Sequence, residues 1–206
     1  MARKSNLSPF ERHLRDVLAS ARFDVDVFPG GHVLESPTAL AVLETRRGKW
    51  STATDLELLM SISVTSRVLA DTLGQPVVPV PPTLVAHWYR GAVQGVGDPW
   101  ELWESVPKNA PGSWDQQDAD LAQRIIPMLV DHASDEGLVR SWGEHPLHWH
   151  VPRARRLVYR ALLEPATGAD PTTTIGLLRR FLKRCPSAPG LTGMGPGLVA
   201  LGLTRT

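Results

Sequence analysis

The sequence has a single cysteine, Cys185, among its 206 residues. One thiol excludes an intrachain disulfide framework and a zinc site made only of cysteines, and it is typical of a reducing compartment. No window reaches the roughly 18 consecutive apolar residues that a membrane-spanning helix needs, and the first residues hold no apolar run typical of a signal peptide. We therefore expect a cytoplasmic protein with no membrane partner.

The short motifs of common catalytic sites are also missing. There is no Gly-x-Ser-x-Gly elbow for a nucleophilic serine, and the glycines at 190–197 lack the Lys-Ser/Thr ending of a phosphate-binding loop. His87, read with Asp98, Glu101 or Glu104 as a general base and its orienting carboxylate, is more often a structural histidine. We therefore predict a non-enzymatic protein that needs no cofactor.

Charge is unevenly distributed, although the net charge is only +1. Residues 1–50 carry +2, residues 51–150 carry −8 and residues 151–206 carry +7. The acidic centre and the basic end either dock on each other or each face a partner of opposite sign. The sequence pI of about 8.0 is low for a nucleic-acid-binding protein. Nucleic-acid binding therefore stays a minor alternative, through the arginines Arg153, Arg155, Arg156, Arg179, Arg180 and Arg184.

Apolar periodicity and turn residues predict the order of helices and strands. Ser8, Pro9 and Glu11 form a helix start with capping-box spacing, and the helix extends to about Arg22. Helices are also predicted at 67–73, 117–133 with a kink at Pro127, 152–163 and 171–184, and strands at 23–28, 38–45, 56–64 and 84–93. This order predicts an α+β fold, in which an antiparallel sheet of about four strands carries helices on one face.

We predict three parts in the chain. Residues 1–143 form the α+β domain, residues 144–185 form a helical C-terminal extension packed on it, and residues 186–206 form a tail rich in glycine and proline.

Several short motifs in residues 5–143 are similar to one bacterial family. They are Arg47-Gly48 with Trp50, the run 62–67, Pro81-Pro82, His87-Trp88-Tyr89-Arg90, the segment 98–103, and the Leu-x-x-x-Trp of 138–142. In this respect the chain resembles the domain-of-unknown-function family 4304. In this chain Tyr89 separates Trp88 from Arg90, which departs from the His-Trp-Arg signature of that family. The resemblance implies an α+β domain and no established activity.

All seven tryptophans fall between residues 50 and 149, in the acidic part of the chain. Tryptophan is favoured in protein cores and also at the centres of protein–protein interfaces. An exposed acidic and aromatic face between residues 98 and 120 would bind a basic protein partner. The predicted partner-binding residues are Trp100, Glu101, Trp103, Glu104 and Trp114. On this interpretation the protein is an interaction module, with an immunity-like or regulatory role.

A histidine cluster gives the alternative function. His145, His148 and His150 follow Glu144, and an extended backbone would direct His148 and His150 to the same side. Neutral imidazole is a common ligand of zinc, nickel and copper, although the spacing is not that of a helical zinc protease. The alternative is therefore a metal-dependent enzyme with its site at 145–150.

Overall fold

A computed structural model describes residues 7–75, 86–89, 103–144, 153–188 and 191–203. Its strands are β1 (Asp24–Phe28), β2 (Gly31–Glu35), β3 (Ala39–Arg47), β4 (Asp55–Ser66), β5 (Ala86–Tyr89) and β6 (Trp103–Pro107). Its α-helices are α1 (Pro9–Ser20), α2 (Arg67–Thr72), α3 (Asp115–Asp120), α4 (Ile126–His132), α5 (Asp135–Glu144), α6 (Arg153–Leu163), α7 (Thr172–Arg184) and α8 (Gly195–Ala200).

The strands form one antiparallel sheet. β1 to β4 follow each other as neighbours, and the long strand β4 pairs with β3 along one edge. On the other edge β4 pairs with β6 near Leu56 and with β5 near Ile62, so the two short strands lie in tandem. The predicted α+β class is confirmed. The sheet has six strands rather than about four.

Two strands were not predicted. The first predicted strand ends at residue 28, and the chain returns immediately as β2. No strand is predicted between residues 93 and 117, and β6 begins there at Trp103.

Helix α1 begins as its sequence predicts. The Oγ of Ser8 accepts a hydrogen bond from the backbone N–H of Glu11 at 3.3 Å, and the Glu11 carboxylate accepts from the N–H of Ser8 at 2.7 Å. This reciprocal pair satisfies two backbone donors that a helix start otherwise leaves free. The apolar stripe of α1 is fully buried at Phe10, Leu14 and Leu18.

The two faces of the sheet differ. One face places Ala39, Ala41 and Leu43 of β3 in the main core, together with the buried residues of α1 and of the later helices. Alternation along β2 and β3 directs Val33, Leu40 and Val42 to the opposite face, where they form a small separate cluster. The helices therefore build the main core on one face of the sheet, as predicted.

The helix predicted at 117–133 is present as a continuous helical segment, in which a π-helical turn joins two α-helical parts. A π-helical turn, Leu121–Ile125, separates α3 from α4. Pro127 lies in the first turn of α4, and proline has no N–H to donate to the preceding turn. A widened turn is the usual local adjustment to such a lost hydrogen bond.

The last described residues are packed rather than loose. Leu191, Met194, Leu198 and Leu203 are buried in the main core. The backbone of Gly197 in α8 lies so close to Leu73, Val158 and Leu162 that a Cβ there would meet their side chains at 3.0–3.3 Å. Residues 191–203 therefore pack against α2 and α6, a contact that their glycine-rich composition did not predict.

The edge strand β1 is irregular. Asp26 adopts a φ of 53°, which is rare for a residue other than glycine. The pairing register with β2 shifts between Asp24 and Phe28.

Among the described residues, no helix has the length and apolarity needed to cross a bilayer.

Candidate functional site

Of the three tryptophans predicted to form an exposed face, the structure describes Trp103 and Trp114, and the prediction is wrong for both. Trp103 is 4% exposed and Trp114 is 5% exposed, and both belong to the main core. Trp100 and Glu101 lie outside the described residues. Glu104 is described only as part of the β6 backbone.

Both indoles can be buried because their N–H groups have internal hydrogen-bond acceptors. The Nε1 of Trp103 donates to the Asp120 carboxylate at 2.9 Å, and the Nε1 of Trp114 donates to the carbonyl of Pro107 at 2.7 Å. Both rings pack edge-on against Phe10, with centroid distances of 5.9 and 5.3 Å. A buried indole with a bonded N–H is a stable core element.

The nearby acidic residues are also used internally. Asp118 lies 2.7 Å from the Nε2 of His13, whose ring stacks at a tilt on Trp114. Asp120 pairs with Arg124 at 3.1 Å in addition to the indole of Trp103. These carboxylates hold α1 and β6 against α3. The Asp120 carboxylate is buried, whereas the Asp118 side chain is still 42% exposed.

The predicted metal site cannot be placed. His145, His148 and His150 lie outside the described residues. Within the described ranges no group of three or more histidine, cysteine, aspartate or glutamate side chains could hold a metal ion.

A different feature brings several predicted residues together, in a groove between α6 and α7. We call it the arginine groove, a cavity of about 320 Å³. It is lined by Arg153, Leu157, Leu177, Arg180, Phe181, Arg184 and Cys185. The residues from α7 are spaced at i, i+3, i+4 and i+7, so they share one face of that helix. Arg153 and Leu157 are four residues apart and face them from α6.

The floor of the groove is apolar and only partly covered. Leu157 and Phe181 are half-buried, and Leu177 is 40% exposed. Arg153, Arg180 and Arg184 are exposed around this floor. The groove therefore combines apolar surface with a cationic rim.

The rim arginines have no carboxylate partner among the described residues. After residue 150 the chain has only two acidic residues, Glu164 and Asp170. The Glu164 carboxylate bonds Arg160 and Thr174, and Asp170 accepts from the N–H and hydroxyl of Thr172 at the start of α7. Both are thus bonded within their own segment.

The remaining arginines of the basic segment have other surroundings. Arg155 donates to the carbonyl of Thr192 at 3.1 Å, which ties α6 to the residues before α8. Burial and the neighbouring charge of Arg153 lower the pKa of Arg156. Arg179 is exposed on α7 and does not line the groove.

The arginines of this groove could be identified from the sequence, but their arrangement around a groove could not. They were grouped as a minor nucleic-acid alternative because they share a sign. The signal for a groove was the spacing of Leu177, Phe181 and the arginines beside them on one helical face.

Comparison with protein-family models, with curated proteins and with solved structures found no match for this chain. The resemblance to family 4304 therefore stays a prediction.

Proposed function

We propose that this protein is an interaction module that binds an acidic, amphipathic segment of a partner protein in the arginine groove. The observation that carries the proposal is the set of rim arginines, Arg153, Arg180 and Arg184, which surround an apolar floor and have no carboxylate partner in the part of the chain that the structure describes. This keeps the predicted class, a non-enzymatic interaction module, and reverses the sign of the expected partner. We expect it to act in the cytoplasm.

Charge complementarity selects the kind of partner. Aspartate or glutamate side chains would meet the rim, where arginine forms bidentate pairs with carboxylates. Apolar side chains on the same helical face of the partner would cover Leu157, Leu177 and Phe181.

A polypeptide fits this groove better than a nucleic acid does. Phosphate backbones are bound mainly by rows of cations and by hydrogen-bond donors, and they make no favourable contact with an aliphatic floor. In addition, three of the described arginines line the groove, while Arg155 and Arg160 are bonded to neighbouring groups.

The first experiment measures binding of a designed peptide. The probe is an amphipathic peptide of leucine and glutamate, about 18 residues or roughly five helical turns long. The comparison peptides are one of the same composition with its apolar face scrambled, and one of glutamate alone. Cys185 is exposed, lines the groove and is the only thiol. An environment-sensitive dye on Cys185 therefore reports occupancy of the groove, and calorimetry on unlabelled protein checks that the dye does not perturb binding.

Charge reversal then locates the binding surface. We expect Arg180→Glu to weaken binding of the amphipathic peptide about tenfold or more, because a like charge replaces a partner at the rim. The matched control is Arg179→Glu, on the same helix but outside the groove. It should weaken binding no more than about threefold, because it removes only the longer-range part of the field.

Three results would contradict the proposal. One is equal binding of the amphipathic and scrambled peptides, which would show that the apolar floor is not used. Another is an equal loss of affinity in Arg179→Glu and Arg180→Glu. The third is duplex DNA or RNA bound more tightly than the peptide at the same salt concentration, which would favour the nucleic-acid alternative.

A further inference from the structure

A second cavity lies between α1 and the first three strands, on elements separate from the arginine groove. Its volume is about 540 Å³, within the range of pockets that hold small organic ligands. The apolar part of its lining includes Leu14, Val27, Phe28 and Leu58.

The polar lining contains two ion pairs. Arg47 donates from its Nε to the Glu11 carboxylate at 2.7 Å and from its Nη2 at 2.5 Å, so these two groups satisfy each other. Burial acts to raise the pKa of Glu11, but hydrogen bonds from Arg47 and Ser8 hold it below its usual value. The Glu11–Arg47 ion pair therefore forms a fixed part of the cavity lining.

The other pair is less complete. The Nε of Arg15 lies 3.0 Å from the Asp26 carboxylate, yet the alignment is not that of a hydrogen bond, and this buried Nε has no hydrogen-bond partner. About a third of each of these two side chains is exposed. The exposed parts of the Arg15 and Asp26 side chains therefore remain open to a ligand that offers both a donor and an acceptor.

His32 also lines this cavity, and it is 2% exposed. Its Nδ1 is buried without a hydrogen-bond partner. Such a group costs stability, and in native proteins it often marks a functional position. Burial lowers the pKa of His32, Asp26 opposes the shift and Arg15 adds to it. A neutral imidazole leaves the cavity with two positive and two negative side chains, and no net charge.

We infer that this cavity binds a small zwitterion with an apolar body, of the size of an amino acid or a dipeptide. Its carboxylate accepts hydrogen bonds from the exposed part of the Arg15 guanidinium, and its ammonium donates to Asp26. Its apolar body packs against Leu14 and Phe28. A cavity whose side chains have no net charge favours a ligand with no net charge. A ligand with only an anionic or only a cationic group would lie near a side chain of its own sign and have no opposite charge to offer it.

The experiment uses the full chain and a panel of apolar amino acids and their dipeptides, beginning with L-phenylalanine. Binding is followed by the backbone amide resonances of residues 26–28 and 30–32 and of Thr45 in nitrogen–proton correlation spectra. The matched probes are 3-phenylpropanoate, which lacks the ammonium, and 2-phenylethylamine, which lacks the carboxylate. We expect saturable shifts with a zwitterion of the panel, and affinities about tenfold weaker or worse for each matched probe.

Two variants assign the site. Arg15→Gln should weaken zwitterion binding about tenfold, whereas Arg12→Gln, an exposed position on the same helix outside the cavity, should leave it unchanged. The spectra of both variants also report that they are folded. The inference is overturned if no zwitterion of the panel gives saturable shifts, if the acid or the amine alone binds as well, or if Arg15→Gln binds as the wild type does.

Discussion

At the scale of single residues, the buried polar groups decide which parts of the surface remain for binding. The indole of Trp103 and the carboxylate of Asp120 satisfy each other in the core, so neither contributes to an exposed acidic face. His32 is the contrasting case, since its buried Nδ1 has no partner. Tryptophan is favoured both in protein cores and at interfaces, so the sequence could not distinguish these two environments for Trp103 and Trp114.

Trp103→Phe tests the internal role of the indole. Phenylalanine keeps much of the apolar packing but removes the N–H that bonds Asp120, so we expect a loss of about 1–3 kcal/mol in the free energy of unfolding. Urea unfolding measures the change. The control is Trp50→Phe, because Trp50 is 71% exposed, and it should change stability by less than about 0.5 kcal/mol. Equal effects of the two substitutions would contradict this role.

His32 should make stability depend on pH. Its pKa in the folded protein is lowered by burial, Asp26 opposes the shift and Arg15 adds to it, while the Glu11–Arg47 pair lines the same cavity. The unfolded chain, with a histidine pKa of about 6.5, therefore binds more protons than the folded chain just below that pH. The stabilisation is fully present above about pH 6.5 and is lost as the pH falls toward the folded-state pKa.

The measurement is the urea midpoint at several pH values between about 7.5 and 5. His32→Gln keeps a polar side chain that does not titrate, so its midpoint should fall less over this range. A fall as steep as that of the wild type would assign the pH dependence to other groups.

At the scale of elements, the arginine groove depends on how α6 is held against α7. One oxygen of the buried Glu164 carboxylate accepts from Arg160 at 2.6 Å and from the hydroxyl of Thr174 at 2.9 Å. This contact joins the end of α6 to the first turns of α7. The cavity lies along the same pair of helices, so its shape follows from their packing.

Thr174→Val tests this link. Valine has nearly the shape of threonine but lacks the hydroxyl, so we expect a loss of about 1–3 kcal/mol, together with weaker binding of the amphipathic peptide. Thr173→Val is the matched control, because Thr173 is exposed and carries the same change of helix propensity. Thermal unfolding and peptide titration of both variants give the comparison. A Thr173→Val protein that loses as much stability would refute the link.

Elements were predictable where local signals and burial agreed. The capping residues of α1, the alternation of the early strands and the length of α7 each follow from a few adjacent residues. The strands β2 and β6 were missed because each is short and follows glycine, proline or tryptophan, whose local preferences indicate turns or loops. Helix α8 was missed because its glycines and proline favour a loop, and its packing against α2 and α6 overrides that preference.

At the scale of the whole molecule, the separation of charge has an unequal outcome. Two carboxylates of the acidic centre have partners within the fold: Asp118 contacts His13, and Asp120 bonds Arg124 and the Trp103 indole. The cations of the rim of the arginine groove keep no such partner among the described residues. The sequence showed the separation but not which side would remain free, because that depends on contacts between residues far apart in the chain.

The packing of the C-terminal residues predicts that the molecule unfolds as one unit. Leu198 is buried and its helix packs on α2 and α6, so Leu198→Ala should cost about 2–5 kcal/mol. All seven tryptophans lie between residues 50 and 149, so their fluorescence reports on the rest of the protein. The fluorescence midpoint in urea should fall together with the midpoint of the helical circular dichroism signal. An unchanged fluorescence midpoint would show that the C-terminal residues unfold separately.

The irregular first strand has a consequence for the behaviour of many copies at once. A straight, apolar strand border invites another chain to extend the sheet and so begins aggregation. Here that border carries two aspartates, and the unusual backbone at Asp26 bends its row of peptide groups out of line. Extension of the sheet by another chain at the β1 edge should therefore be disfavoured.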